Sequence, residues 1–256
     1  MRYQMTAKFW WRQQANQLLN WIFPGEDALC VVCGRPSELG KSGNNIADGQ
    51  HGASDLGMCP FCQQEAASCT VNAAVQNVRL DHRRGFVAVH SCVSYEQFLR
   101  TLIRAWKYDG LIQLTEWFGQ IMLSALPQAL IARCDLIVPV PATRDRIQKR
   151  GYDHIRLLAA CLSDAYGLPL IDGLCRVQTD QGFTQSQTAK SALARRRGLK
   201  NAYVLNAPLQ TAMLRRKRLL LIDDIVTTGS TIATCAQALY QAGAATVEGG
   251  VIARVM

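Results

Sequence analysis

The segment Arg218–Thr231, Arg-Leu-Leu-Leu-Ile-Asp-Asp-Ile-Val-Thr-Thr-Gly-Ser-Thr, constrains the fold more than any other part of the chain. Its apolar run, Leu219 to Ile222, reads as a buried strand. The carboxylates of Asp223 and Asp224 sit where that strand is expected to end. A Thr-Thr-Gly-Ser-Thr loop follows, then a helical stretch from about Ile232 to Ala242. Loop amides and hydroxyls at a helix N-terminus hold phosphate, and adjacent carboxylates accept hydrogen bonds from vicinal hydroxyls. The combination fits a phosphorylated ribose. Each half alone is ordinary turn and cap chemistry; the full string is not. Neither G-x-x-x-x-G-K-[ST] nor a G-x-G-x-x-G after a strand occurs.

Around this segment the chain alternates strand and helix. Leu136 to Val140 reads as a buried parallel strand, a polar loop follows it, and a helix is expected near His154 to Tyr166. Thr246 to Ile252 reads as a last strand. This order predicts a parallel sheet flanked by helices. Residues 86–133 read as mainly helical after a short apolar start, with Phe98, Leu102, Ile103 and Trp106 at helical spacing. Residues 8–22 read as an amphipathic helix, expected to pack on the chain's own body or to meet a membrane surface or partner. The expected division is 1–25 for that helix, 26–70 for a cysteine-rich element, and 71–256 for the α/β domain.

The cysteine-rich element holds two pairs, Cys30-Val-Val-Cys33 and Cys59-Pro-Phe-Cys62, separated by a Gly- and Asn-rich insertion over Ser37 to Gly57. Two C-x-x-C pairs can place four thiolates in a tetrahedron, the structural zinc arrangement. The alternatives are chance pairs of free thiols or a redox pair. Redox is disfavoured because neither pair reads as opening a helix after a strand. Cys69 is a weaker fifth ligand candidate. Cys92, Cys134, Cys161, Cys175 and Cys235 lie in apolar contexts and read as core thiols; His51 and His82 read as exposed.

The chain of 256 residues carries 28 Lys and Arg against 19 Asp and Glu, a net charge of +9. That suits an anionic ligand or nucleic acid. Arg144 to Arg150 follows the Leu136 strand, and open parallel sheets bind ligands beyond their strands' carboxyl ends. Pyrophosphate contact is therefore expected from Arg144, Lys149 and Arg150. Arg195 to Lys200 lies in a long polar stretch suited to a lid, and Arg215 to Arg218 precedes the signature strand, at the opposite edge. No secretory signal or membrane-length apolar run is visible, so a cytoplasmic location is expected.

Several segments together resemble the ComF/GntX family, bacterial proteins linked to natural competence and use of external DNA. They are Phe23-Pro24, Leu102-Ile-Arg-Ala-Trp-Lys-Tyr108, Val138-Pro-Val-Pro141, Arg150-Gly-Tyr152, Leu199-Lys-Asn-Ala-Tyr203 and the signature. The resemblance implies a type I phosphoribosyltransferase fold behind an N-terminal zinc element. It implies phosphoribosyl pyrophosphate (PRPP) bound with magnesium, Asp223 and Asp224 on the ribose, and Thr227, Thr228, Gly229, Ser230 and Thr231 around the 5-phosphate. It also implies a flexible loop containing Gln187, Arg195, Arg197 and Lys200. The chain departs from the family's Arg-Gly-Phe-Asn-Gln at Arg150-Gly-Tyr-Asp-His154, and has Gly198 where Asn is common. Two readings follow. One is a phosphoribosyltransferase with Asp223 and Asp224 as catalytic residues. The other is a non-catalytic PRPP- or nucleotide-sensing module that binds single-stranded DNA or another competence protein.

Overall fold

The computed structural model describes residues 28–37, 58–69, 71–79, 85–176, 203–205 and 212–255. The N-terminal helix reading, most of the Ser37–Gly57 insertion, His51, His82, Gly198 and the loop residues Gln187, Arg195, Arg197 and Lys200 lie outside them. The chain forms two compact units. One gathers residues up to Thr70 with Glu96–Trp117 and Asp145–His154; the other comprises Val71–Tyr95, Phe118–Arg144 and Ile155–Met256.

In the first unit, β1 (Ala28–Leu29) pairs antiparallel with β2 (Pro36–Ser37). Helix α1 (Pro60–Ser68) begins with a proline at its first position, where the missing N–H costs nothing. Helix α2 (Gln97–Tyr108) buries Leu99, Leu102, Ile103, Ala105 and Trp106 along one stripe. Trp106 is fully buried, and its indole N–H donates to Thr115 Oγ1 at 2.9 Å. Gly110, at φ +79°, turns the chain after the helix.

In the second unit, five strands form one sheet among the described residues: β3 (Val71–Arg79), β4 (Phe86–Ser94), β5 (Leu136–Pro139), β8 (Arg218–Val226) and β9 (Thr246–Arg254). Their spatial order is β3-β4-β9-β8-β5. Only the β3–β4 pair is antiparallel; β4–β9, β9–β8 and β8–β5 are parallel. The sheet is flanked by helices: α3 (Leu114–Ala125), α4 (Gln128–Ile131), α6 (His154–Tyr166) and α7 (Ser230–Gln241). Helix α5 (Arg144–Arg150) belongs, beyond its first residue, to the first unit. A second, two-stranded sheet joins β6 (Leu174–Arg176) to β7 (Tyr203–Leu205). This is the α/β architecture expected from the sequence, with a cysteine cluster in the other unit.

The core on one sheet face uses alternate residues of β8, Leu219 and Leu221, with Val138, Val247 and Val251 from its neighbours and Ile232, Cys235, Ala236 and Leu239 from α7. The period-2 pattern of a strand produces this alternation. Cys92, Cys134 and Cys235 are buried as expected, whereas Cys161 and Cys175 are half-buried. Burial pushes the Cys92 thiol up to about 12 and Cys134 to about 11, so both stay protonated and inert.

Three local readings need correction. The signature strand does not end before the carboxylates: β8 runs on to Val226, with Asp223 opposite Val251 and Ile225 opposite Ala253. Arg144–Arg150 is a helix rather than a polar loop, with Asp145 in its first turn and Lys149 and Arg150 in its last, matching the helix dipole. Residues Val71–Arg79, unassigned from sequence, form the antiparallel edge strand.

Candidate functional site

Asp223 and Asp224 sit near the carboxyl end of β8, each only 8% exposed. The strand's pleat sends them to opposite faces. Asp223 shares parity with Leu219 and Leu221, toward α7. Its charge helps raise Tyr203, pushed up to about 12 chiefly by burial, and Cys235, pushed up by burial and then by Asp223. Asp224 has the other parity. Asp223 Oδ1 accepts the Asp224 amide at 2.9 Å, and Asp224 Oδ1 accepts the Ile225 amide at 2.6 Å.

Beyond Val226 the chain turns through Thr227, Thr228 and Gly229 into α7. Gly229 caps the helix at φ +75° and offers no side chain to the first-turn amides. Its missing Cβ matters twice: a built Cβ would lie 2.6 Å from both γ-carbons of the buried Val78 on β3. Thr227, Thr228 and Ser230 are exposed. The Ser230 amide and Thr228 Oγ1 are 3.4 Å apart, and Thr228 donates to Ser230 Oγ at 3.2 Å. Thr231 lies close enough to the Tyr203 hydroxyl to influence its ionisation. Uncapped amides and four hydroxyls at a helix N-terminus suit a phosphate.

The Val138-Pro-Val-Pro141 segment leaves the sheet at the same edge: the Val140 amide donates to Ile222 C=O at 2.9 Å. Arg144 belongs to this second unit, whereas Lys149 and Arg150 belong to the first. Arg144 and Lys149 are exposed and Arg150 is half-buried. Arg150 bonds to the ring of His154, and its guanidinium lies 5.4 Å from the centroid of the Tyr108 ring. The Tyr152 hydroxyl donates to Trp106 C=O, and His154 packs edge-on against Trp106 with centroids 4.8 Å apart. Two departures from the family pattern, Tyr152 and His154, are thus buried with specific partners.

Sequence reasoning assigned no role to Arg176 and Tyr203, although Arg176 and Asp223 both bear on the Tyr203 hydroxyl. Arg176 and Tyr203 pair across β6–β7, with the guanidinium 5.8 Å from the ring centroid. The resemblance takes in Tyr203 within Leu199–Tyr203 without giving it a role, and nothing marks Arg176 as its partner, because a long stretch of sequence separates the two strands. Arg215–Arg218 does lie at the other end of β8, whose nine residues span about 27 Å. Arg218, however, is held by Asp135: a backbone amide and the guanidinium both donate to its carboxylate, at 2.8 and 2.8 Å. These contacts hold Asp135 well below the usual carboxylate range.

In the first unit, the sulfurs of Cys30, Cys33, Cys59 and Cys62 lie within 4.8 Å of one another. A tetrahedral zinc–thiolate site, with Zn–S near 2.3 Å, has sulfur–sulfur edges of about 3.8 Å; Cys33 and Cys59 are 3.7 Å apart. The Cys59 amide donates to Cys30 Sγ at 3.2 Å. Burial opposes ionisation of Cys30, but amides of Cys33, Cys59 and Val32 outweigh it and hold this thiol at about 6. Burial and the other three sulfurs push Cys62 up instead. The donor set therefore fits zinc. Cys69 stands outside it, its thiol directed at Glu65 C=O. The second pair does open a helix, with Cys59 as the N-cap residue of α1. The four-sulfur convergence is the better argument for metal.

No family model matches the chain. The chain is 28% identical over 225 residues to DNA utilization protein YhgH of Escherichia coli O157:H7, covering 86% of this chain and 94% of that protein. It is 28% identical to Competence protein F of Haemophilus influenzae, covering 60% and 67%. It is 23% identical to Competence protein ComFC of Bacillus subtilis, covering 73% of each. Similar solved structures include adenine phosphoribosyltransferase from Saccharomyces cerevisiae, with 16% identity, a TM-score of 0.36, and coverage of 75% of this chain and 89% of that one. Among the described residues, no helix is long and apolar enough to cross a membrane.

Proposed function

The relatives support a ComF-family assignment, and from that premise we propose that the chain binds PRPP with magnesium at the β8–α7 turn, in the service of DNA uptake or use of external DNA. The observation that carries the reading is the turn itself. One strand brings two buried carboxylates to a hydroxyl-rich loop whose Gly229 opens a helix with uncapped amides.

In this reading Thr227, Thr228, Ser230 and Thr231 donate to the 5-phosphate, while Asp223 and Asp224 accept from the ribose hydroxyls. Their oxygens are hard donors, the type magnesium favours. Magnesium, when bound with PRPP, supplies positive charge to the pyrophosphate. If the chain is catalytic, loss of pyrophosphate leaves oxocarbenium character at C1, which the carboxylates stabilise, and a nitrogen nucleophile completes the transfer. Arg144, in the same unit as the turn, then stabilises the leaving pyrophosphate.

One observation favours the non-catalytic alternative, a PRPP- or nucleotide-sensing module. The two carboxylates lie on opposite faces of β8, and each already accepts a backbone amide. Calorimetry with PRPP and magnesium tests the binding claim. The double variant Asp223→Asn/Asp224→Asn should bind far more weakly while keeping its fold; equal affinity would remove the ribose role. Pyrophosphate release with a panel of bases then separates enzyme from sensor.

A further inference from the structure

We propose that Arg176 and Tyr203, paired across the β6–β7 ribbon, are positioning residues for the β8–α7 site and act on its ligand through Asp223. The proposal rests on the PRPP reading and gives a role to two residues that the signature does not contain.

Arg176 is the last residue of β6 and Tyr203 the first of β7, and the antiparallel register sets them opposite each other. The guanidinium carbon lies 5.8 Å from the ring centroid, within the range of cation–π attraction. The ribbon packs on α7. Tyr203 is only 8% exposed and belongs to one cluster with Ile232, Cys235 and Ala236 of that helix and Leu219 and Leu221 of β8. Asp223 shares the parity of those two leucines, so its carboxylate leaves β8 on the face where Tyr203 is buried. Arg176 and Asp223 act with opposite signs on the Tyr203 hydroxyl and on the Cys235 thiol, and Thr231 lies close to the same hydroxyl. One ring thus meets both halves of the site, the carboxylate and the first turn of α7.

A buried tyrosine hydroxyl needs a polar partner. Burial pushes Tyr203 up to about 12, so the hydroxyl keeps its proton at neutral pH and remains a donor. Asp223 and Asp224 are adjacent in sequence and each 8% exposed, so their charges disfavour one another and oppose the phosphates of an anionic ligand. Arg176 supplies a positive charge that no ordinary pH removes. It lets Asp223 stay ionised and accept from a ribose hydroxyl while the 5-phosphate sits on the α7 amides. Asp224 leaves β8 on the opposite face, so Arg176 serves Asp223 and not its neighbour.

The test is calorimetry of full-length protein with two ligands, PRPP plus magnesium and ribose 5-phosphate, with the fold of each variant checked by circular dichroism. Arg176→Ala should weaken both ligands about tenfold, the scale of one lost charge-assisted contact. Arg176→Lys keeps the charge and should bind within about threefold of the wild type. Tyr203→Phe keeps the ring, loses the hydroxyl, and should bind about fivefold more weakly. In an Asp223→Asn background, Arg176→Ala should change affinity less than about twofold, whereas in an Asp224→Asn background it should keep its full effect, because only coupled residues depart from additivity. A merely structural arginine would weaken binding equally in both backgrounds, and that result would overturn the proposal. So would a loss confined to PRPP, which would make Arg176 a direct pyrophosphate ligand. Wild-type protein that binds PRPP, with Arg176→Ala unchanged, would overturn this proposal alone; wild-type protein that binds neither ligand would overturn the PRPP reading with it. Should Arg176→Ala fail to fold, Arg176→Gln takes its place in the same cycles.

Discussion

Replacing Gly229 with alanine perturbs the turn in two separable ways. The first is conformational. At φ +75° an L-residue sits in the left-handed region, at a cost of about 1–2 kcal/mol. The second is steric. The new Cβ would lie 2.6 Å from both Val78 γ-carbons and 3.2 Å from its Cβ. Val78 is 4% exposed and β-branched, so it has no alternative rotamer that clears both methyls. Overpacking of this kind costs about 1–3 kcal/mol. Gly229→Ala should therefore destabilise the protein by about 2–5 kcal/mol, a large part of an ordinary domain's 5–15 kcal/mol. Urea unfolding of Gly229→Ala, Val78→Ala and the double variant separates the terms. Val78→Ala alone loses two buried methyl groups, about 1.6 kcal/mol. In its background Gly229→Ala should cost only the conformational part, leaving a favourable coupling of about 1–3 kcal/mol. Strictly additive energies would refute the contact with Val78. A Gly229→Ala variant within about 0.5 kcal/mol of the wild type would refute the left-handed turn as well.

Three further outcomes follow from the geometry. Freshly purified, reduced protein should carry about one zinc per chain by metal analysis, and Cys59→Ser should release it while the second unit stays folded by circular dichroism. Asp135, whose carboxyl is held down by Arg218, adds stability that is fully present above about pH 4 and is lost as pH falls toward its lower folded value; Asp135→Asn should flatten the acid limb of stability below pH 4, and an unchanged limb would discount the pair. Because Asp223 and Asp224 face opposite sides of β8, Asp223→Asn and Asp224→Asn should weaken PRPP binding unequally in calorimetry; equal losses would refute inequivalent roles for the two carboxylates.

The elements that could be read from sequence are those whose apolar pattern matches their period. The helix His154–Tyr166 was legible to the residue, and β5, β8, β9 and α7 to within a few positions. Strand β3 was not legible: residues 74–77 of this edge strand are exposed or half-buried, and its Asn and Gln positions carry no alternation. Helix α5 was not legible because Arg-Asp-Arg-Ile-Gln-Lys-Arg buries no residue. Its only helical signals are charges ordered along the dipole, a weak cue. Helix α1 has almost no apolar face either, but Pro60 one place after Cys59 is a helix-start signal that could have found it.

At the candidate site, residue types were legible and their arrangement was not. The four-residue apolar run understated β8 because two buried carboxylates interrupt hydrophobicity without interrupting the ladder to β9. Once the strand is carried through Val226, period 2 puts Asp223 in line with Leu219 and Leu221 and Asp224 against them. Neighbours in sequence are thereby separated in space, while Tyr203, from a distant segment, becomes Asp223's neighbour. The same logic governs the first unit. Its cysteine spacing announces four converging sulfurs, but nothing in the spacing says that the ring between the last two faces outward, or that an arginine from the other pair will cover it. Residues fixed by one strong local constraint, a metal or a ladder, carry their unconstrained neighbours to places that only the folded chain defines.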